Sequence, residues 1–207
     1  MGRSLGPVNI DDIAISPKYR KHHWQLALNN EDWETMVAIF KDRIEGRFLK
    51  PIRLIESDTE NGEFSGFSIL ALDCLIIETL NQFYLGTDET EGKHKIAFWN
   101  FFRNSEFFKM HFTRKIAYIF YTQYRCGILH QAQTKGKSLI RVDEDFMVKA
   151  IETETGEPKD LIINRELFHS AIEEEISDYI RKLRSGGEGN LMLRNNFIKK
   201  MNFICGS

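Results

Sequence analysis

Arg125 and His130 stand with four residues between them in the hexapeptide Arg125-Cys126-Gly127-Ile128-Leu129-His130, and the pair is equipped for phosphodiester chemistry without a metal. An imidazole titrates near neutral pH and can take the proton from a ribose 2′-hydroxyl. A guanidinium is a permanent cation whose donors match phosphate oxygens, so it can stabilise the charge on a phosphorane-like transition state. The surrounding charge is lopsided. Gly92 to Arg141 carries ten Lys or Arg against the single acid Glu106, a net +9, whereas the whole chain stands at −2. Arg114, Lys115, Lys135 and Lys137 are therefore candidate contacts to a polyanion such as RNA, in binding that weakens with salt. Tyr118, Tyr121 and Tyr124 could stack an unpaired base, although aromatic residues at helical spacing more often build core.

Position is the difficulty. On an undistorted helix, five residues rotate His130 about 140° from Arg125, so something else must bring the two together. Gly127 offers a kink or the close approach of another helix. A two-fold partner offers the second half of a composite site, and this homodimer is the preferred reading. Glu78 lies in an almost wholly apolar stretch and needs a cation, because burying a carboxylate unpaired is costly. Arg125 or Arg47 is the expected partner, in a structural or orienting role. The bland alternative pairs Arg125 with Glu78 or Asp73 for stability alone and leaves His130 to satisfy carbonyls at a helix end.

The elements that would carry these residues are mostly helical. Residues 1–30 are poorly periodic and read as a partly extended arm, with His22 and His23 in a solvated turn rather than as metal ligands. Trp33, Met36, Val37, Phe40, Ile44 and Phe48 recur at helical spacing, and Pro51 should end or kink that helix. Asn61-Gly62 marks a turn. Phe64 to Tyr84 is apolar all round the helical wheel, as a helix buried on several sides should be, and Gly86 stops it. A shorter helix carries Ile96, Trp99 and Phe102, with a break at Asn104-Ser105. One long helix is then expected from Phe108 to His130. Residues 138–164 alternate and contain turn residues, which predicts a small antiparallel meander inserted before the last helices. Asn164 should cap a helix carrying Phe168, Ala171, Ile172, Ile176, Tyr179, Ile180 and Leu183. Its Glu173-Glu174-Glu175 run reads as a solvated face, and His94, His111 and His169 as exposed and without chemistry. Gly186-Gly187 ends that helix, and Leu191 to Ile204 forms a last, weaker one.

The motif and its helical setting resemble the HEPN superfamily, whose signature is an Arg and a His separated by four to six residues at a helix terminus. The wider phrase Tyr124-Arg125-Cys126-Gly127-Ile128-Leu129-His130-Gln131-Ala132 looks like a group of bacterial HEPN-like proteins. So do Ala71 to Leu80 and Arg43 to Ile52. The likeness covers roughly Trp33 to Gln133. It implies a mainly α HEPN-like helical bundle, here one domain over 1–207, and a metal-independent ribonuclease acting as a dimer and leaving a cyclic phosphate. In that reading Arg125 and His130 are catalytic, and Glu78, Tyr124 and Gly127 support them. Nuclease members commonly carry a polar residue, often Asn, after the Arg; Cys126 stands there in this chain. The alternative is a non-catalytic HEPN module that holds a nucleotide, RNA or a protein.

Other classes find no support in the motifs. Lys135-Gly136-Lys137-Ser138 resembles the end of a phosphate-binding loop, but Gln131 replaces the required glycine and a helix precedes it. Gly-x-Gly-x-x-Gly, His-Glu-x-x-His and Gly-x-Ser-x-Gly are all absent, so neither a cofactor nor a metal is expected. Three scattered cysteines suggest no disulfide framework, and the first residues hold no apolar run suited to a signal. The apolar stretch from Ile69 to Leu80 is broken by Asp73 and Glu78, so the expectation is a cytoplasmic protein with no membrane segment.

Overall fold

The computed structural model describes residues 12–206 except Thr59, Asn61, Glu91 and the Glu63 side chain. The chain is mainly helical with a small sheet. Its helices are α1 (Lys21–Asn29), α2 (Trp33–Ile44), α3 (Lys50–Glu56), α4 (Gly66–Leu85), α5 (His94–Asn104), α6 (Arg114–Phe120), α7 (Cys126–Gln131), α8 (Arg165–Ser185) and α9 (Leu191–Cys205). Strands β1 (Leu139–Arg141), β2 (Val148–Glu152) and β3 (Pro158–Asn164) lie between α7 and α8.

Helix α4 is the axis of the bundle and packs against α5, α8 and α9. By length and composition it is apolar enough to cross a membrane, and half of it is buried inside the fold. Gly86 ends it in the left-handed conformation, φ 62°. Aromatic side chains fill the core in two groups. Phe102, Phe108, Phe112, Phe120 and Phe168 pack α5, α6 and α8 together, with Phe102 and Phe112 stacked at 3.9 Å. Trp24, Phe40, Phe83, Tyr179 and Phe197 join α1, α2, α4, α8 and α9. Each such pair adds roughly 0.5–1.5 kcal/mol beyond the area it buries.

Several expectations need correction. The N-terminal segment is no free arm from Lys21 onward, because Trp24 is fully buried and its indole donates to Asn202 Oδ1 at 2.8 Å. The expected signal-free start lies outside the described residues, as does Asn61; Gly62 opens a short 3-10 turn. Pro51 does not end its helix. A π-helical turn, Glu45–Leu49, joins α2 to α3, and Pro51 falls in the first turn of α3, where a missing N–H does no harm.

The long helix expected from Phe108 begins only at Arg114. Thr113 is extended and caps it, accepting from the Ile116 N–H at 3.3 Å. Phe108 and Phe112 have helical spacing but are buried from a turn that precedes the cap. The sheet is mixed rather than a meander, in the order β1-β3-β2, with β1 parallel and β2 antiparallel to β3. The most apolar strand, carrying fully buried Leu161 and Ile163, takes the centre, where both edges are paired. Asn164 explains the crossover. Its Oδ1 caps α8, accepting from Glu166 and Leu167, while its Nδ2 donates to the Glu144 carbonyl at 2.7 Å and holds the β1–β2 loop across the end of β3.

Two further residues are not where pattern placed them. Glu175 is buried rather than solvated: it accepts hydrogen bonds from Tyr84 at 2.7 Å and from Ser105. His169 is buried and pairs with the fully buried Asp73 at 2.7 Å, joining α8 to α4.

Candidate functional site

Glu78 lies twelve residues into α4, flanked by buried Ile77 and Leu80. Its cation is Arg125, whose Nε donates to Glu78 Oε1 at 2.8 Å, and both side chains are largely covered, with 16% and 14% exposure. Burial alone would lower the pKa of Arg125. The hydrogen bond and charge of Glu78 outweigh it, so the guanidinium is held above its ordinary value. The bond uses Nε alone, so the two terminal amines carry no protein partner among the described residues. The Tyr121 ring lies beneath the guanidinium at 5.7 Å. Burial and a hydrogen bond to Cys126 raise the Tyr121 phenol. His94 completes the cluster, its Nδ1 at 3.6 Å from Glu78 Oε2. Arg47, the other expected partner of Glu78, instead reaches the Ala14 carbonyl.

The backbone beneath Arg125 is unusual. Tyr121–Arg125 form a π-helical turn in which the Cys126 N–H bonds to the Tyr121 carbonyl, a distortion that recurs at functional sites. From Cys126 the chain is α-helical again, so His130 lies about 140° round the helix from Arg125. His130 is exposed in the last turn of α7. Within one chain the two expected catalytic groups therefore diverge.

Gly127 allows the close approach of a loop, not of another helix. A Cβ there would lie 2.5 Å from the Gln133 carbonyl oxygen, and the loop is held by the Lys135 N–H donating to the Gln123 carbonyl at 3.0 Å. Ala132 takes a left-handed conformation, φ 52°, to make that reversal. Tyr124 offers no stacking face. It is fully buried, and its hydroxyl meets the Leu161 and Leu139 carbonyls at 2.6 and 2.8 Å, tying the helix to the sheet.

The basic residues divide. Arg114 and Lys115 line a shallow depression of about 490 Å³ with Lys95, Tyr118, Ile119, Thr122 and Gln123. Lys95 Nζ lies 4.4 Å from the Tyr118 ring centre and the Arg114 guanidinium 5.3 Å. Lys115 is paired to Glu157. No acid lines the depression. Lys137 lies on another cavity beside Glu152, Glu154 and Asp160, and Lys135 folds over Gly127. Sequence reasoning missed Lys95 and His94, adjacent on α5. Only the contact of α5 with α6 and the π turn, which no spacing rule reports, brings them to the site.

A cavity of about 690 Å³ lies elsewhere, between the end of α4 and α5, and neither Arg125 nor His130 lines it or the basic depression. His22 and His23 lie in the first turn of α1 rather than in a solvated turn, His22 pairing with Asp12 and His23 Nδ1 accepting from the Arg20 N–H. Among the described residues no group of three His, Cys, Asp or Glu could hold a metal. No protein-family model, curated protein or solved structure matches this chain.

Proposed function

We infer that the chain is an HEPN-like RNA-handling protein and that it cleaves RNA without a metal when two copies meet. The observation that carries this reading is Arg125 itself. It is oriented through Nε by a carboxylate on a central helix, with both terminal amines left over for a phosphate. The strand runs across the neighbouring depression, where Lys95 and Arg114 offer cations over Tyr118 and no acid competes. Because His130 diverges from Arg125 within a subunit, the base that takes the 2′-hydroxyl proton comes from the partner copy across a two-fold axis. The leaving 5′-oxygen departs as the 2′-oxygen bonds to phosphorus, and the product is a cyclic phosphate.

The test is gel analysis of labelled single-stranded RNA with the purified protein in the presence of a chelator. Arg125→Ala and His130→Ala should each abolish cleavage while leaving the melting temperature of His130→Ala unchanged. Mixing the two inactive variants should restore part of the activity, since a mixed dimer keeps one intact site. Activity that survives both substitutions, or that vanishes with chelator, overturns the mechanism. A second reading, RNA binding without cleavage, is favoured by the same divergence of His130. Salt-sensitive RNA binding with no product from the wild-type protein would establish it.

A further inference from the structure

The last turns of α4 carry a polar group that neither the fold nor the RNA site uses. Asn81 is 5% exposed, and among the described residues its side chain makes no hydrogen bond. Buried amides are ordinarily hydrogen-bonded. The oxygen and nitrogen of this one are not sealed from solvent, however, because the side chain lines the cavity of about 690 Å³ between the end of α4 and α5. Leu85, Ile96 and Phe203, from α4, α5 and α9, line the same cavity; each is about half exposed and none belongs to the hydrophobic core. A buried amide among uncommitted apolar side chains has the make-up of a small-molecule site, and the volume falls within the usual range, roughly 300–1,000 Å³. The wall made by the loop after Gly86 is fixed in advance. The Thr87 N–H donates to the Gln82 carbonyl at 3.2 Å, Gln82 Nε2 donates to Thr90 Oγ1 at 2.8 Å, and Lys200 on α9 donates to the Asp88 carbonyl.

We propose that this cavity binds a neutral nucleoside, adenosine in particular, with the edge of the base on the Asn81 amide. A carboxamide with both atoms unspent presents an acceptor beside a donor, the pattern that pairs bidentately with N6 and N7 of adenine. The Lys200 ammonium covers the Phe203 ring from the protein side at 4.8 Å, and the exposed remainder of the ring is available to stack on the base. Charge decides against a phosphate. Asp88 and Glu89 line the cavity with Lys93, two carboxylates to one ammonium, so an anion is repelled on balance while ribose hydroxyls find acceptors. Neither Arg125 nor His130 lines this cavity, and the proposal does not rest on the ribonuclease reading.

Isothermal titration of the full chain with adenosine, purine riboside and adenosine monophosphate tests the assignment. Adenosine should bind best. Purine riboside lacks the 6-amino donor and should bind about tenfold more weakly, and the monophosphate, meeting two carboxylates, should also be weaker. Asn81→Leu should lose about tenfold or more of the adenosine affinity while its urea midpoint stays level or rises, because no protein hydrogen bond is given up; an amide kept for the fold alone would behave the other way. Phe203→Ala should weaken adenosine about tenfold. His130→Ala, inactive on RNA in the ribonuclease reading, should bind adenosine as the wild type does, so the two readings fail separately. No adenosine binding by the wild type, tighter binding of the monophosphate, or undiminished affinity in Asn81→Leu would each overturn the proposal. Should Asn81→Leu fail to fold, Phe203→Ala decides, and unchanged affinity there overturns it as well.

Discussion

Replacing Asp73 by Asn should flatten the pH dependence of stability. Asp73 is fully buried and shares a hydrogen bond with His169 at 2.7 Å. Burial pushes the carboxyl up from 3.8 to about 6, against the hydrogen bond and charge of His169, with Glu56 and Glu173 adding to the rise. For His169 burial acts downward, but the hydrogen bond and charge of Asp73 outweigh it, so the imidazole is raised above 6.5. Both groups therefore hold protons more tightly in the fold than in the unfolded chain. Their contribution is full below pH 3.8 and is lost as pH rises through about 6 for Asp73, and above 6.5 for His169. For the carboxyl alone, a pKa near 6 in the fold against 3.8 unfolded gives about 1.4 kcal/mol of lost stability between roughly pH 5 and 8. Urea unfolding followed by circular dichroism should show the wild type losing at least that much more than Asp73→Asn over this range. Other titrating groups cancel in the difference. Parallel profiles for the two proteins would refute the reasoning.

Three other outcomes follow from the geometry. Tyr124→Phe should cost about 1–3 kcal/mol, since the buried Leu161 carbonyl loses the phenol's one proton, and should leave RNA affinity unchanged; weakened RNA binding at full stability would mean that the ring is a stacking surface after all. Gly127→Ala should lower stability by about 1–3 kcal/mol, because the Gln133 carbonyl must move aside, and an unaltered urea midpoint would contradict that. Replacing Lys95 or Arg114 by Ala should reduce the slope of log K against log salt for single-stranded RNA by about 0.7 per lost phosphate contact; unchanged slopes would remove the strand from the Tyr118 depression.

The helices were legible where an apolar period coincided with a stop signal. Phe64 to Tyr84 with Gly86, and Asn164 before Phe168, needed nothing beyond the wheel and the cap. The failures share a physical cause: partners distant in sequence. Phe108 and Phe112 have helical spacing, but the Thr113 cap and the aromatic cluster took them for a turn. Glu175 sits in a run of acids and looks solvated until Tyr84 and Ser105 arrive from other helices. The Glu78–Arg125 pair was legible because a carboxylate in an apolar helix demands a cation and the nearest basic motif supplied one. His94 at that pair was not, because local sequence carries no record of which distant helix packs beside a buried charge.

The π turn at Tyr121–Arg125 has a consequence for the length of the chain rather than its chemistry. Such a turn spends an extra residue compared with the α turn it replaces. Deleting a single residue there, Thr122 for instance, would let the bond from the Cys126 N–H to the Tyr121 carbonyl close an ordinary α turn, and the helix downstream would keep its phase. The guanidinium would stay on α4. The fold thus carries a spare residue beside its ion pair, and a gap of one is absorbed at a place where a regular helix would lose its register.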